Sequence, residues 1–345
     1  MLRFFVACAL LLLLTAPRPA TADDTVNAIG SNPSALYQVL EHVAQYAGFY
    51  TEEHLSVNKQ YAPSASACAQ LVASGKGDVC TMSIEPIILG YEKGLRLQFI
   101  FSHDPHYTYL LGVLEGSPIH TLADFKGKDI GEINAGSTSE ISGNDMLSGA
   151  GLRKGDYSYV PIGLGSQALA ALEAGKVAGA SFPGVELGQM GIIGNVKFRY
   201  FRDPILDSIP NMGFGASPAT IANRPDVLKR YLRATVMAAL LVRENPQLAA
   251  KYFFMGTGQK PTPEMLATET TVLTTLQGDL AGADPSSPQI GRVPVNGIAL
   301  YCKFFLAVGQ TTQLVPAAAI ATNQFIAYAN DFDKKAFIAR VKQMH

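Results

Sequence analysis

The sequence predicts an α/β protein built on mostly parallel sheets with helices on both faces. Three observations point there. Short strand-like runs alternate with helical runs across short connections. The same rhythm restarts after Leu110. Finally, residues 71–79 (LVASGKGDV) are echoed by 172–180 (LEAGKVAGA), each a helix end, a glycine stop and a buried strand. Two lobes built on one plan would produce this echo, and so would chance, because helix–Gly–strand junctions are common.

Residues 26–30 read as a short strand, ended by Asn32, Pro33 and Ser34. Leu36, Val39, Leu40, Val43 and Ala47 recur at helical spacing, so a helix is expected over 35–47, with Gly48 as its stop. Residues 55–61 alternate as a strand does. Pro63 and Ser64 open a helix through Ala73, which Gly75 ends. A strand at 79–83, a helix at 87–93 and a strand at 95–101 complete the first set. In the second set, strands are expected at 111–114, 129–133, 157–161, 177–182 and 197–201, with helices over 139–149 and 166–173. The last part changes character: 225–244, 247–254, 263–277 and 295–308 read as helices. Asn223 is the expected cap of the first, with Pro225 in its first turn. Residues 281–293 form a loop rich in Gly, Pro and Ser.

The N-terminus reads as a secretory leader. Arg3 precedes an unbroken apolar run over 4–14, too short to span a bilayer, and Ala20 and Ala22 are the small residues a signal peptidase reads. Cleavage is expected after Ala22, making 1–22 a signal peptide. Cys8 lies inside the apolar run, which argues against a lipid anchor there. The whole chain carries 27 basic and 28 acidic residues. Arg3 and Arg18 leave with the leader, which holds no acidic residue. The remainder is mildly acidic, with no basic stripe, so nucleic acid and anionic lipid are not expected partners. Cys68, Cys80 and Cys302 remain after cleavage. An oxidising compartment permits one bridge, and a Cys68–Cys80 pair and three buried thiols are both open readings.

Several segments together resemble a family of exported solute-binding proteins for thiamine-precursor pyrimidine, alkanesulfonates, taurine and nitrate. They are 48–55 (GFYTEEHL), 71–79 (LVASGKGDV), Ile84-Glu85-Pro86 with the helix ending at Gly94, and Ser117-Pro118-Ile119 before 122–131 (LADFKGKDIG). Ala174-Gly175-Lys176-Val177 and 325–334 (FIAYANDFDK) extend the match. The resemblance implies two doubly wound α/β lobes of the periplasmic binding protein type II-like kind, joined by a two-strand hinge, with a ligand cleft between them. Lobe one would be 23–106 plus the C-terminal helices in 217–345, and lobe two 107–216. Segments 107–112 and 213–217 are the candidate hinges. The implied function is the binding component of an ABC importer that captures a small molecule by lobe closure. Its partners would be a permease and its ATPase, and the protein itself a monomer. A sensor lobe serving a membrane kinase is the alternative from another class.

In open α/β sheets ligands sit beyond the carboxyl ends of the strands. The strand ends nominate Ser31, Asn32, Ser64, Ser66, Ser83, Glu85 and His103 in the first lobe, and Ser137, Thr138, Ser139, Ser166 and Glu186 in the second. Tyr37 and Tyr107 could add stacking surface, as could Tyr109; the chain has no Trp. Ser64, Ser66, Ser137, Thr138, Ser139 and Ser166 stand where helices begin, where free N–H groups and the positive dipole end can hold an anion or a carbonyl oxygen. Each also has an ordinary role as a cap. Glu85 and Glu186 end equivalent-looking strands and would favour a ligand with amino or hydroxyl donors. No Arg or Lys falls in these loops, which argues against a multiply charged anion. The expectation is a heteroaromatic, pyrimidine-like or amide-bearing ligand, with an aromatic carboxylate or sulfonate as the competitor.

His103-Asp104-Pro105-His106 has the spacing of a metal pair but no distant His cluster to complete it, so neither metal nor cofactor is expected. G-x-S-x-G, the phosphate-loop signature and H-E-x-x-H are absent, and Gly163-Leu164-Gly165 is too short for a dinucleotide motif. Fungal thiamine-pyrimidine synthases share the fold but carry a Cys-rich iron-binding stretch that this chain lacks. The expectation is a binding protein with no catalytic residue.

Overall fold

The computed structural model describes residues 23–30, 36–103, 109–202, 209–210, 212–280 and 288–345. The expected leader, Ser31, Asn32 and Tyr107 lie outside them. In chain order the elements are β1 (Asp24–Gly30), α1 (Val39–Tyr46), α2 (Phe49–Glu52), β2 (Leu55–Tyr61), α3 (Ala65–Ala73), β3 (Val79–Ser83), α4 (Glu85–Glu92), β4 (Gln98–Ser102) and β5 (Tyr109–Leu114). There follow β6 (Asp129–Glu132), α5 (Thr138–Gly149), β7 (Ser158–Pro161), α6 (Gly165–Glu173), β8 (Gly179–Pro183), α7 (Gly184–Gly194), β9 (Phe198–Phe201) and β10 (Met212–Ala216). Helices dominate thereafter: α8 (Pro218–Asn223), α9 (Pro225–Glu244), α10 (Pro246–Thr257), α11 (Pro263–Leu280) and α12 (Val295–Ala307).

The strands form two five-stranded sheets, ordered β2-β1-β3-β10-β4 and β7-β6-β8-β5-β9. β1, β2 and β3 are mutually parallel, as are β6, β7 and β8. β10 runs antiparallel to β3 and β4, and β5 antiparallel to β8 and β9. Each sheet is therefore mixed. Its antiparallel strand is in both cases the first strand described after the chain has left the other sheet. Met212–Ala216, expected at the end of the second lobe and as a hinge, is thus hydrogen-bonded inside the first sheet. Gly213 permits this insertion, because a Cβ there would stand 1.9 Å from the Phe101 carbonyl oxygen.

The echo between 71–79 and 172–180 is structural. β3 and β8 hold the same place in the two sheet orders. Both preceding helices end on a glycine at positive φ, 76° at Gly75 and 66° at Gly175. Lys76 N donates to Leu71 O at 2.9 Å, and Lys176 N to Ala171 O at 3.0 Å. A Schellman-type turn closes each helix and aims the next strand into the sheet.

The first lobe's main core lies between its sheet and α1, α9 and α10. It includes Val26, Leu36, Phe49, Tyr231, Leu240 and Phe253. A second core runs without a break from Met82 and Phe99 in the first sheet to Tyr109, Leu111 and Ile130 in the second. The expected helices 225–244 and 263–277 are present, but Asn223 ends α8 and makes no cap for α9. Arg224 stands at that position instead, and its guanidinium is tied to Asp78 and the Thr25 carbonyl. Cys68 and Cys80 form a disulfide that joins α3 to β3, with Cα atoms 6.0 Å apart, and Cys302 is buried and free. Among the described residues no helix is long and apolar enough to cross a membrane.

Candidate functional site between the lobes

The carboxyl ends of β1, β3, β6 and β8 meet where the two sheets face each other, and the lobes touch there directly. Ser83, at the end of β3, shares a 2.7 Å hydrogen bond with Thr138, the first residue of α5. Ser66 on α3 donates to the Gly136 carbonyl at 3.4 Å. Leu36 N, beyond β1, donates to Glu186 Oε1 on α7 at 2.7 Å. Between these contacts lies a cavity of about 10 Å³ lined by Tyr37, Thr81, Met82, Tyr109, Asn134, Ser137, Thr138 and Met212, with Ala65 and Ile133. That volume is room for about one water, so the conformation is closed.

The lining is neutral and rich in hydrogen-bonding groups. Ser137 precedes α5 in extended backbone and makes no side-chain cap; its hydroxyl, 6 % exposed as a residue, has no partner. The hydroxyl of Ser139 is likewise unpartnered. The first N–H groups of a helix lack intrahelical acceptors. The unused Ser137 hydroxyl and the positive end of α5 therefore converge on one wall. Tyr109 hydrogen-bonds Thr138, and burial raises its phenol well above the usual range, so it stays a neutral donor. On the opposite wall Thr81 donates its proton to Glu41 Oε2 at 2.6 Å. Glu41 also accepts from Tyr231 at 3.2 Å and is paired with Lys59. Thr81 is thus oriented to offer the cavity lone pairs rather than a proton.

The sequence-nominated residues divide. Tyr37, Ser137 and Thr138 line the cavity, and Ser83 and Ser66 hold the lobes together beside it. Ser139 is buried and does not line it. Ser64 is an ordinary cap, accepting from Ala67 N at 3.2 Å. Ser166 lines a separate cavity with Leu164 and Gln189.

His103 is 1 % exposed, edge-on to Phe214, and burial lowers its imidazole to about 4, so it is a neutral core ring. Among the described residues no group of three His, Cys, Asp or Glu could hold a metal.

The two glutamates occupy equivalent strand ends as expected, but neither lines the cavity. Glu186 is fully buried, and burial raises it to about 8, with the Leu36 amide opposing and Glu269 adding to the shift. Glu85 is fully buried and accepts from Tyr301 at 3.0 Å; the same hydroxyl lies 2.9 Å from Asp145 Oδ2 on α5. Glu186 thus bonds across the lobes, whereas Glu85 bonds Tyr301 within its own lobe and it is Tyr301 that reaches Asp145 across the gap.

Thr81 and Met82 belong to the strand end, residues 81–85, that the sequence nominates, whereas Asn134 and Met212 were missed as cavity residues and Tyr301, Asp145, Gln189 and Glu269 as interlobe groups. Asn134 was within reach, since it follows the end of β6 by two residues. Tyr301 was not: it meets Glu85 from 216 residues away.

A sequence model described as NMT1/THI5 like matches residues 39–249, and the chain belongs to that family. No curated protein sequence matches it. Among solved structures, a protein from Bordetella bronchiseptica RB50 superposes with a TM-score of 0.71 at 21 % identity, covering 90 % of this chain and 98 % of that one. The alkanesulfonate-binding protein SsuA from Xanthomonas axonopodis pv. citri, bound to MOPS, superposes at 0.63 with 15 % identity over 88 % of this chain and all of that one. The desulfurization enzyme DSZB superposes at 0.52 with 17 % identity, over 89 % and 98 %. The fold is the two-lobed periplasmic binding protein fold, type II-like, and DSZB shows that an enzyme can share it.

Proposed function

We propose that the chain is the extracytoplasmic solute-binding component of an ABC importer. It takes an uncharged small molecule carrying both donors and acceptors, of the pyrimidine or amide kind, between its lobes, and closure presents it to a permease. One observation carries the ligand class: the interlobe cavity is lined by hydroxyls, an amide and two tyrosines, with no Lys or Arg among them. A neutral heterocycle can stack on a tyrosine, donate to Thr81 and accept from Tyr109 or the start of α5. The secretory-type leader and the Cys68–Cys80 disulfide support an oxidising compartment outside the cytoplasm. Membership of the family supports binding rather than catalysis, as does the absence of an activated nucleophile in the cavity lining.

A sulfonate is the second reading. The helix N-terminus at Thr138, with unpartnered hydroxyls on Ser137 and Ser139, favours it. SsuA's ligand is a further support. Calorimetry and thermal shift on the mature protein with 4-amino-5-hydroxymethyl-2-methylpyrimidine and with MOPS separate the two. A ligand at 100 times its dissociation constant stabilises by about 2.7 kcal/mol. The pyrimidine is expected to bind the wild type and to lose at least tenfold in affinity in Thr81→Val. Binding of MOPS alone overturns the neutral-ligand reading, and stabilisation by neither probe nor by a metabolite extract overturns the receptor reading.

A further inference from the structure

A second cavity, of about 690 Å³, lies between α6 and α7 of one lobe and α10 and α11 of the other. Its size falls in the usual range of small-molecule sites. Leu164, Ile192, Ile193, Phe253, Phe254 and Met265 make its walls largely apolar. Its charged lining consists of two carboxylates, Glu264 and Glu269, with no Lys or Arg beside them. Glu264 is exposed on the first turn of α11, whereas Glu269 is 4 % exposed. Gln189, itself 8 % exposed, donates to Glu269 Oε2 at 3.2 Å, and Glu269 Oε1 has no partner. A buried carboxylate with one oxygen unused is costly unless something else supplies a donor. Glu269 in turn raises the buried Glu186 on α7, so this part of the interface carries a second buried acidic group.

We propose that this cavity is a second ligand site, distinct from the central cleft, for a monocationic amphiphile: a primary or secondary ammonium on an apolar body. The ammonium pairs with Glu269 beside Gln189, and the body packs between Phe253, Phe254 and the α7 isoleucines. Burial, opposed by the Gln189 hydrogen bond, raises Glu269 to about 7, and a cation beside it reverses that tendency by favouring the carboxylate. Because its walls come from both lobes, an occupant adds contacts that exist only when the lobes are together. Binding there therefore favours the closed form.

The probes are 2-phenylethylammonium, its neutral analogue 2-phenylethanol, and 3-phenylpropionate, titrated into the mature protein at pH 8 by calorimetry with ligand-observed NMR. The expected result is binding of the ammonium at least tenfold tighter than the alcohol, with no detectable binding of the carboxylate. Glu269→Gln should lose at least tenfold for the ammonium while keeping the Gln189 contact. Thr268→Phe, which fills the cavity from the half-exposed surface of α11, should abolish binding of both ammonium and alcohol. Equal affinity for ammonium and alcohol, or full binding by Thr268→Phe, overturns the proposal. Should Glu269→Gln fail to fold, the Thr268→Phe comparison decides alone.

Discussion

The hydroxyl of Tyr301 has one proton and stands at hydrogen-bond distance from two carboxyl groups, Glu85 and Asp145. It can donate to only one, so the arrangement is complete only when a carboxyl proton serves the other. Burial first, and Glu85 second, raise Asp145 well above its usual range, consistent with a proton held there. Glu186, raised to about 8 chiefly by burial, shares this condition. Both groups sit between lobes, and both would regain ordinary carboxyl behaviour, near 4, on exposure. The closed form then binds protons that the open or unfolded form releases. Its stability is full below about pH 4 and falls as pH rises toward and through about 8. Unfolding free energy, and with it melting temperature, is accordingly expected to decline from pH 4.5 to 8.5, the free energy by at most about 1.4 kcal/mol per pH unit per group. Asp145→Asn with Glu186→Gln should flatten that slope. A wild-type profile that is level or rises with pH would falsify this account.

At the scale of elements, the junctions matter most. The Cys68–Cys80 disulfide ties α3 to β3, the strand that carries Thr81, Met82 and Ser83 to the cavity. Chain-entropy arguments put a loop of this length at about 3 kcal/mol. Cys68→Ala with Cys80→Ala should lower unfolding free energy by roughly this amount in denaturant titrations, with the secondary structure retained. An unchanged midpoint would mean that the bridge constrains nothing the two sheets do not already hold. Most elements were legible because their signals are local: apolar periodicity in 225–244, and glycine stops at Gly75 and Gly175. α7 (Gly184–Gly194) was not anticipated. Four of its residues are glycine, which blurs a helical signal, and the helix forms because Leu187 and Met190 are buried in the second sheet's core and Val185 in the first lobe's.

At the scale of the molecule, opening must break the interlobe bonds at Ser83–Thr138, Leu36–Glu186, Ser66–Gly136, Tyr301–Asp145 and Gln189–Glu269. A cavity of about 10 Å³ admits no organic ligand, so ligand uptake through this cleft requires that motion. Ser83→Cys with Thr138→Cys places two sulfurs where oxygens now stand 2.7 Å apart. The oxidised double variant should refuse ligand at the central cleft and the reduced one should accept it. Equal uptake by both would show that the cleft does not gate binding.

The sequence by itself determined the α/β alternation, the repeated helix–Gly–strand junction and the family, because periodicity and turn chemistry are written within a few residues of each other. It also nominated strand ends that meet at the interlobe cavity, naming Tyr37, Ser137 and Thr138 in its lining and Ser83 beside it. Only the tertiary structure decided that β10 enters the first sheet, that His103 is a core ring, and that Glu186 bonds across the lobes and Glu85 bonds Tyr301 rather than lining the cavity. Those outcomes depend on which groups lose water when distant segments meet, and desolvation is a property of the assembled surface that no local pattern records.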